Sequence, residues 1–223
     1  LLPAGMPWRR IPLHVSEGRL LGGLDLAATL RAGRPVGERG LLAEADGGLV
    51  VLAMAERVPP ATAAHVAAAL DLGAVALERD GLADRAPARF GVVALDEGRD
   101  DEAPPSALID RLALAVDLRA VSIRDVEDLP YGRLEVESAR ERLDRVRIAD
   151  QDVASLCAAA LALGVDSLRP SLAALTAARA AAALAGREEV AQEDLEAAAR
   201  LVLAPRATRL PAPEAPPEPQ EDE

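Results

Sequence analysis

Four short apolar runs rich in β-branched residues punctuate the first half of the chain: RIPLHV at 10–15, GLVVLAM at 48–54, RFGVVAL at 89–95 and LALAVDL at 112–118. Each is bounded by Gly, Pro or charge. Three show little alternation, the pattern of strands covered on both faces. Helix-compatible stretches lie between them, notably PATAAHVAAALDLG at 60–73, which opens on a proline and closes on a glycine. Strands alternating with helices predict a parallel α/β sheet.

Further along, the apolar period becomes helical. ESARERLDRVRI (137–148) places Ala139, Leu143 and Val146 on one face, and DQDVASLCAAALALG (150–164) opens with acids and closes on Gly164. In 166–186, Ser167 is a natural N-cap, Pro170 is tolerated in the first turn and Gly186 is the stop; 191–205 ends at Pro205. Four capped amphipathic segments joined by short loops predict a small helical bundle. The end, PAPEAPPEPQEDE (211–223), holds five Pro, five acids and no base, so it is expected to be an extended linker or tail.

Composition narrows the function. Half of the 223 residues are hydrophobic but only one Trp, one Tyr and one Phe are present, so the core is built from Leu, Val and Ala. The 25 basic residues are all Arg and face 37 acidic ones, a net charge of −12. That balance, without a basic-aromatic patch, argues against nucleic acid as a partner. The single Cys157 lies in an apolar stretch, is expected to be packed in the core, and fits a reducing cytoplasm. With His14 and His65 far apart, no Cys/His metal cluster is expected. The longest uncharged run considered, 153–165, is 13 residues, short of the roughly 18 that cross a bilayer.

Several longer phrases are more specific. PLHVSEGRLLGGLDLAATLRAG, ERGLLAEADGGLVVLA, ALERDGLADRAPARFGVVAL and SALIDRLALAVDL, in that order and spacing, resemble the AAA+ module of magnesium chelatase. The likeness continues through GVDSLRPSLAALTAARAAAAL and VAQEDLEAAARLVL and covers residues 10 to 204. It implies an α/β fold, an AAA+ P-loop-type parallel sheet core followed by an α-helical lid bundle. The implied domains are a core at 1–120, a connecting segment at 121–134, a lid at 135–204 and a Pro-rich acidic linker at 205–223. The first strand and P-loop of such a core would precede residue 1. The stretch around Glu78–Arg89 is expected to be a β-hairpin insertion, and 19–33 a second insertion.

The resemblance also assigns sites. In active members, the strand matching 49–54 ends in Asp-Glu, where the Asp helps hold Mg²⁺ and the Glu polarises the attacking water. Ala53 and Met54 stand there, and neither binds a hard cation nor acts as a base. Glu56, two residues on, reads as a solvated loop acid. The next strand should end in an Asn that orients the water; Glu97 aligns there, and the chain has neither Asn nor Lys anywhere. Arg111 matches an arginine finger that reaches a neighbouring subunit's nucleotide, Arg169 a second sensor on the lid, and Arg179 a further family arginine with a weaker match. Read without the family, each of the first two is a surface arginine paired with a nearby acid such as Asp110 or Asp166.

Donor arginine kept and hydrolytic acids lost is the pattern of the D subunit of that family. The implied function is a non-hydrolysing platform subunit that assembles as a ring with the ATPase I subunit and the large porphyrin-binding subunit. ATP and Mg²⁺ would be used by the complex, with no cofactor or metal held by this chain. Two rivals stay open. One is an active ATPase of the I or MoxR type, which would turn over nucleotide alone. The other is an adaptor unrelated to chelation, whose absence would leave porphyrin metallation unchanged.

Overall fold

Val50 and Leu52, alternate residues with no exposed surface, lie on the middle strand of a parallel sheet. The computed structural model describes residue 3 and residues 5–79, 82–122, 124 and 131–209. The chain divides into two compact units, Leu1–Leu112 and Ala113–Glu223.

The first unit runs β1 (Trp8–Arg10), α1 (Glu17–Leu21), β2 (Gly22–Leu24), α2 (Leu26–Ala32), β3 (Gly37–Arg39), α3 (Leu41–Glu44), β4 (Leu49–Ala53), α4 (Pro60–Leu72), β5 (Ala74–Arg79), β6 (Leu82–Pro87), β7 (Gly91–Leu95) and α5 (Ser106–Ile109). β4 pairs in parallel with β1 on one side and β7 on the other. Its close approach to β1 depends on Gly48, where a Cβ would stand 1.7 Å from the Pro7 carbonyl oxygen. β5 and β6 form the expected antiparallel hairpin, while β2 and β3 pair around α2 in the region read as the other insertion.

α4 begins with Pro60 in its first turn, where a missing N–H costs nothing. It ends at Gly73, whose φ of 61° closes the helix in the left-handed region. Its buried face, including Ala63, Val66 and Ala69, packs into one core with Ile11, Leu20, Leu42, Val50, Leu52 and Leu108. Glu44 ties three elements together, accepting from Arg9 Nε and Arg19 Nη1, each at 2.8 Å.

The second unit is helical: α6 (Arg133–Leu143), α7 (Asp150–Ala162), α8 (Leu168–Leu184) and α9 (Gln192–Ala198). Ser167 caps α8 as expected, accepting from the Arg169 N–H at 3.3 Å. Ala174, Ala178 and Ala182 recur every four residues along α8 and are fully buried, so small side chains let neighbouring helices come close. Leu156, Leu195, Val202 and Leu203 supply the bulk of that core. A buried carboxylate, Asp194, accepts from the Ala191 N–H and from Arg187 Nη2, both at 2.9 Å.

Several expectations are corrected. The strand expected at 10–15 is β1, at Trp8–Arg10. Ile11 makes the last rung, to the Val51 carbonyl at 3.0 Å, and Pro12 has no N–H to continue it. The run 112–118 forms no strand: Leu114, Val116 and Leu118 are 53%, 64% and 63% exposed. An apolar run becomes a strand only beside a neighbour that pairs its backbone, and β7 is the last strand of the described sheet on that side. α6 stops at Leu143, so Val146 is buried from a loop, where the main chain at Arg147 bonds to Glu188 and Val190. The last helix widens into a π turn at Ala199–Leu203. Cys157 is exposed, because it sits about 100° around α7 from the buried Leu156 and about 60° beyond the buried Ala160, at the edge of the inward face. The tail from residue 210 on, and half of the expected connecting segment, lie outside the described residues.

Candidate functional site

The parallel register brings the aligned hydrolytic positions together at the C-terminal ends of the strands, the edge where open α/β sheets bind ligands. Ala53, the last residue of β4, is paired with Leu95, the last of β7, and Glu97 follows two residues later. Met54 leaves the strand with φ 49° and ψ 55°, a left-handed conformation uncommon for a side chain of its size. It starts a 3₁₀ turn over Ala55–Arg57.

Within that turn, Glu56 departs from expectation: its side chain is only 2% exposed. Its Oε2 accepts from the Glu97 N–H at 3.0 Å, so it stitches the end of β4 to the loop after β7. Burial pushes this carboxyl up, but the N–H of Glu97, its own N–H and Arg57 outweigh that and hold it below the usual carboxylate value. Glu97 itself is exposed and joins this contact through its backbone. Of the three acids at these strand ends, Asp96 and Glu56 each accept a main-chain N–H, from Gly98 and from Glu97, and the Glu97 carboxylate is exposed.

Arg111 follows α5 and stands at the other end of α4. Its Nε donates to Asp71 Oδ1 at 3.0 Å, its Nη2 to Asp71 Oδ2, and its Nη1 to the Ala107 carbonyl at 2.7 Å. The hydrogen bonds it donates to Asp71 raise the pKa of a group that is already permanently charged. Asp71 lies in the last turn of α4, whose 13 residues span about 20 Å. Ala53 and Met54 precede the first turn of that helix. Arg111 and the degenerate positions thus lie at opposite ends of one helix, farther apart than one side chain reaches.

The ion partner of Arg111 is therefore Asp71, forty positions away, in place of the adjacent acid expected. One signal pointed to it: an acid in the last turn of a helix opposes the helix dipole, so it is favoured there only with a cation beside it.

In the helical unit, Arg169 occupies the exposed first turn of α8. Arg179 is half-buried near the middle of α8, with Nε on the Val146 carbonyl at 3.1 Å and Nη2 on the Leu143 carbonyl at 2.9 Å. There it satisfies carbonyls that the end of α6 leaves open. Among the described residues, no group of three or more His, Cys, Asp or Glu is placed to hold a metal, and no helix is long and apolar enough to cross a membrane.

A parallel α/β sheet followed in the chain by a helical unit is the layout of an AAA+ module, and the AAA lid domain family matches residues 153–223. The chain belongs to the magnesium-chelatase family of AAA+ subunits. It is 43% identical to the magnesium-chelatase 60 kDa subunit of Cereibacter sphaeroides, over 96% of this chain and 36% of that protein. It is 37% identical to the 67 kDa subunit of Chlorobaculum tepidum, over 98% of this chain and 38% of that protein. Against the 38 kDa subunit of Cereibacter sphaeroides it is 31% identical, over 92% of this chain and 68% of that protein. The chain thus spans little more than a third of the larger relatives and two thirds of the smaller.

Proposed function

We propose that this chain is the AAA+ module of a D-type platform subunit of magnesium chelatase, which does not hydrolyse ATP and lends Arg111 to a neighbouring ATPase subunit. The observation that carries the reading is the separation along α4. The aligned strand-end positions hold Ala53, Met54 and Glu97, whereas Arg111 is kept and held at the far end of the helix. A guanidinium placed there is of no use to a nucleotide at its own strand ends. It suits a phosphate presented by another subunit, where its planar fork takes two oxygens.

In this reading the module forms rings with subunits of the 38 kDa type and works with the large porphyrin-binding subunit in the cytoplasm. The complex uses ATP and inserts Mg²⁺, its substrate, into protoporphyrin IX for chlorophyll or bacteriochlorophyll synthesis. Arg169, in the exposed first turn of α8, is proposed as the second sensor. Arg179 is given no phosphate role here, since its donors already hold main-chain carbonyls.

The test is reconstitution with the full-length protein, the 38 kDa-type subunit and the porphyrin-binding subunit. The full-length protein alone shows no ATP turnover, and Arg111→Ala still joins the complex but lowers Mg²⁺ insertion at least about 1,000-fold, the lower end of the range for lost arginine fingers. ATP turnover by the isolated protein favours the ATPase rival. Full activity of Arg111→Ala returns Arg111 to a surface ion pair and removes the reading.

A further inference from the structure

Arg111 carries the proposed function, so the group that holds its guanidinium decides how it meets a phosphate. Three of its five N–H groups are engaged among the described residues. Nε and Nη2 each give one to Asp71, and Nη1 gives one to Ala107. One N–H on each terminal nitrogen remains, and 18% of the side chain is exposed. The guanidinium is planar, so a carboxylate seated along its Nε–Nη2 side fixes the direction of the adjoining Nη1–Nη2 end. Asp71 takes the Nε–Nη2 side, Ala107 takes one N–H of Nη1, and two N–H groups of the fork stay unengaged among the described residues.

We infer that Asp71 is a positioning residue for Arg111, holding the guanidinium so that its open N–H pair is already aimed for the phosphate oxygens of a neighbouring subunit's nucleotide. The inference rests on the platform reading and adds a residue to it. Asp71 sits in the last turn of α4, where the helix carbonyls make a carboxylate without a cation unfavourable, so the pair has reason to persist before any partner arrives. Without Asp71 the side chain keeps one backbone contact, and the aim must be recovered from many rotamers on each encounter.

The experiment compares Asp71→Asn with wild type in the reconstituted complex of full-length proteins, reading ATP turnover, complex formation and thermal stability. The expected result is about a tenfold fall in kcat, with KM for ATP, complex formation and melting temperature unchanged. A second comparison places Asp71→Asn on an Arg111→Lys background, where the fork is gone but residual turnover is measurable. No further loss is expected there, because Asp71 acts only through the guanidinium. Wild-type kcat in Asp71→Asn, a rise in kcat, or the same fold loss on the Arg111→Lys background overturns the inference. If Arg111→Ala is inactive while Asp71→Asn is normal, only this inference falls. If Arg111→Ala is fully active, the platform reading falls first.

Discussion

In the proposed reading, the two ends of α4 keep opposite halves of a nucleotide site. At its start, the backbone of a hydrolytic strand end is in place: β4 and β7 run in register to Ala53 and Leu95, Met54 makes a left-handed turn, and buried Glu56 stitches the two loops. The carboxylates expected of an active member are replaced by a methyl and a thioether. At its finish, the charged side chain is kept, with a carboxylate to hold it. The contrast separates what a fold requires from what a reaction requires. Strand pairing and loop closure serve packing and persist without chemistry, whereas a half-buried arginine held by an acid adds a charge that packing alone does not require.

That contrast can be broken at either end. The largest effect is the loss of at least about 1,000-fold in Mg²⁺ insertion expected for Arg111→Ala, where the proposed chemistry is concentrated. Next comes the scaffold. Leu52 has no exposed surface and faces the core from the middle of β4, so Leu52→Ala should cost about 3 kcal/mol. Hydrogen exchange of the full-length protein should show the backbone at 49–53 opening about 150-fold more often, a factor equal to that energy. Unchanged protection there would mean that the strand end is not part of the cooperative core.

Glu56→Gln is a smaller probe of the same end. Its carboxylate accepts a main-chain N–H while buried, so the neutral amide should lower stability by about 1 kcal/mol at neutral pH. The pH dependence has a definite sign. The folded-state pKa lies below the ordinary 4.5, so the contribution is fully present above that value and is lost as pH falls through the folded one. Melting temperatures of wild type and Glu56→Gln should therefore differ most at pH 7 and converge below about pH 4.5. A constant gap would assign the effect to packing.

Much of the architecture is legible in the residues. The Val- and Leu-rich runs at β4 and β7, the Pro60 and Gly73 boundaries of α4 and the Ser167 cap are local signals, and local physics acts on them. What was not legible depends on distant partners. Residues 112–118 have the composition of a strand, but among the described residues no strand pairs with them. Glu56 reads as a loop acid until Glu97, forty-one positions later, brings its N–H. Arg111 looked paired with its neighbour Asp110, but the bond goes to Asp71, which a single chain shows only as an acid in an unfavourable helix turn. Cys157 was misplaced by one residue of helical phase, since a wholly apolar stretch does not reveal which side faces inward.

The smallest expected effect is the one that most sharpens the comparison. Met54→Ala and Glu97→Gln should each leave Mg²⁺ insertion by the reconstituted complex within about twofold of wild type, like surface changes away from any special feature. Met54 contributes a left-handed backbone, and alanine adopts that conformation at a similar cost. Glu97 contributes its N–H to Glu56, and glutamine keeps it. Neither side chain has a part in the proposed chemistry, so the start of α4 should tolerate changes that in an active ATPase would remove the water-activating and water-orienting groups. A fall of more than about tenfold in Glu97→Gln, a loss typical of general acid–base catalysis, would place a working carboxylate at the strand ends. The two ends of α4 would then both be chemical, and the ATPase rival would gain its first residue.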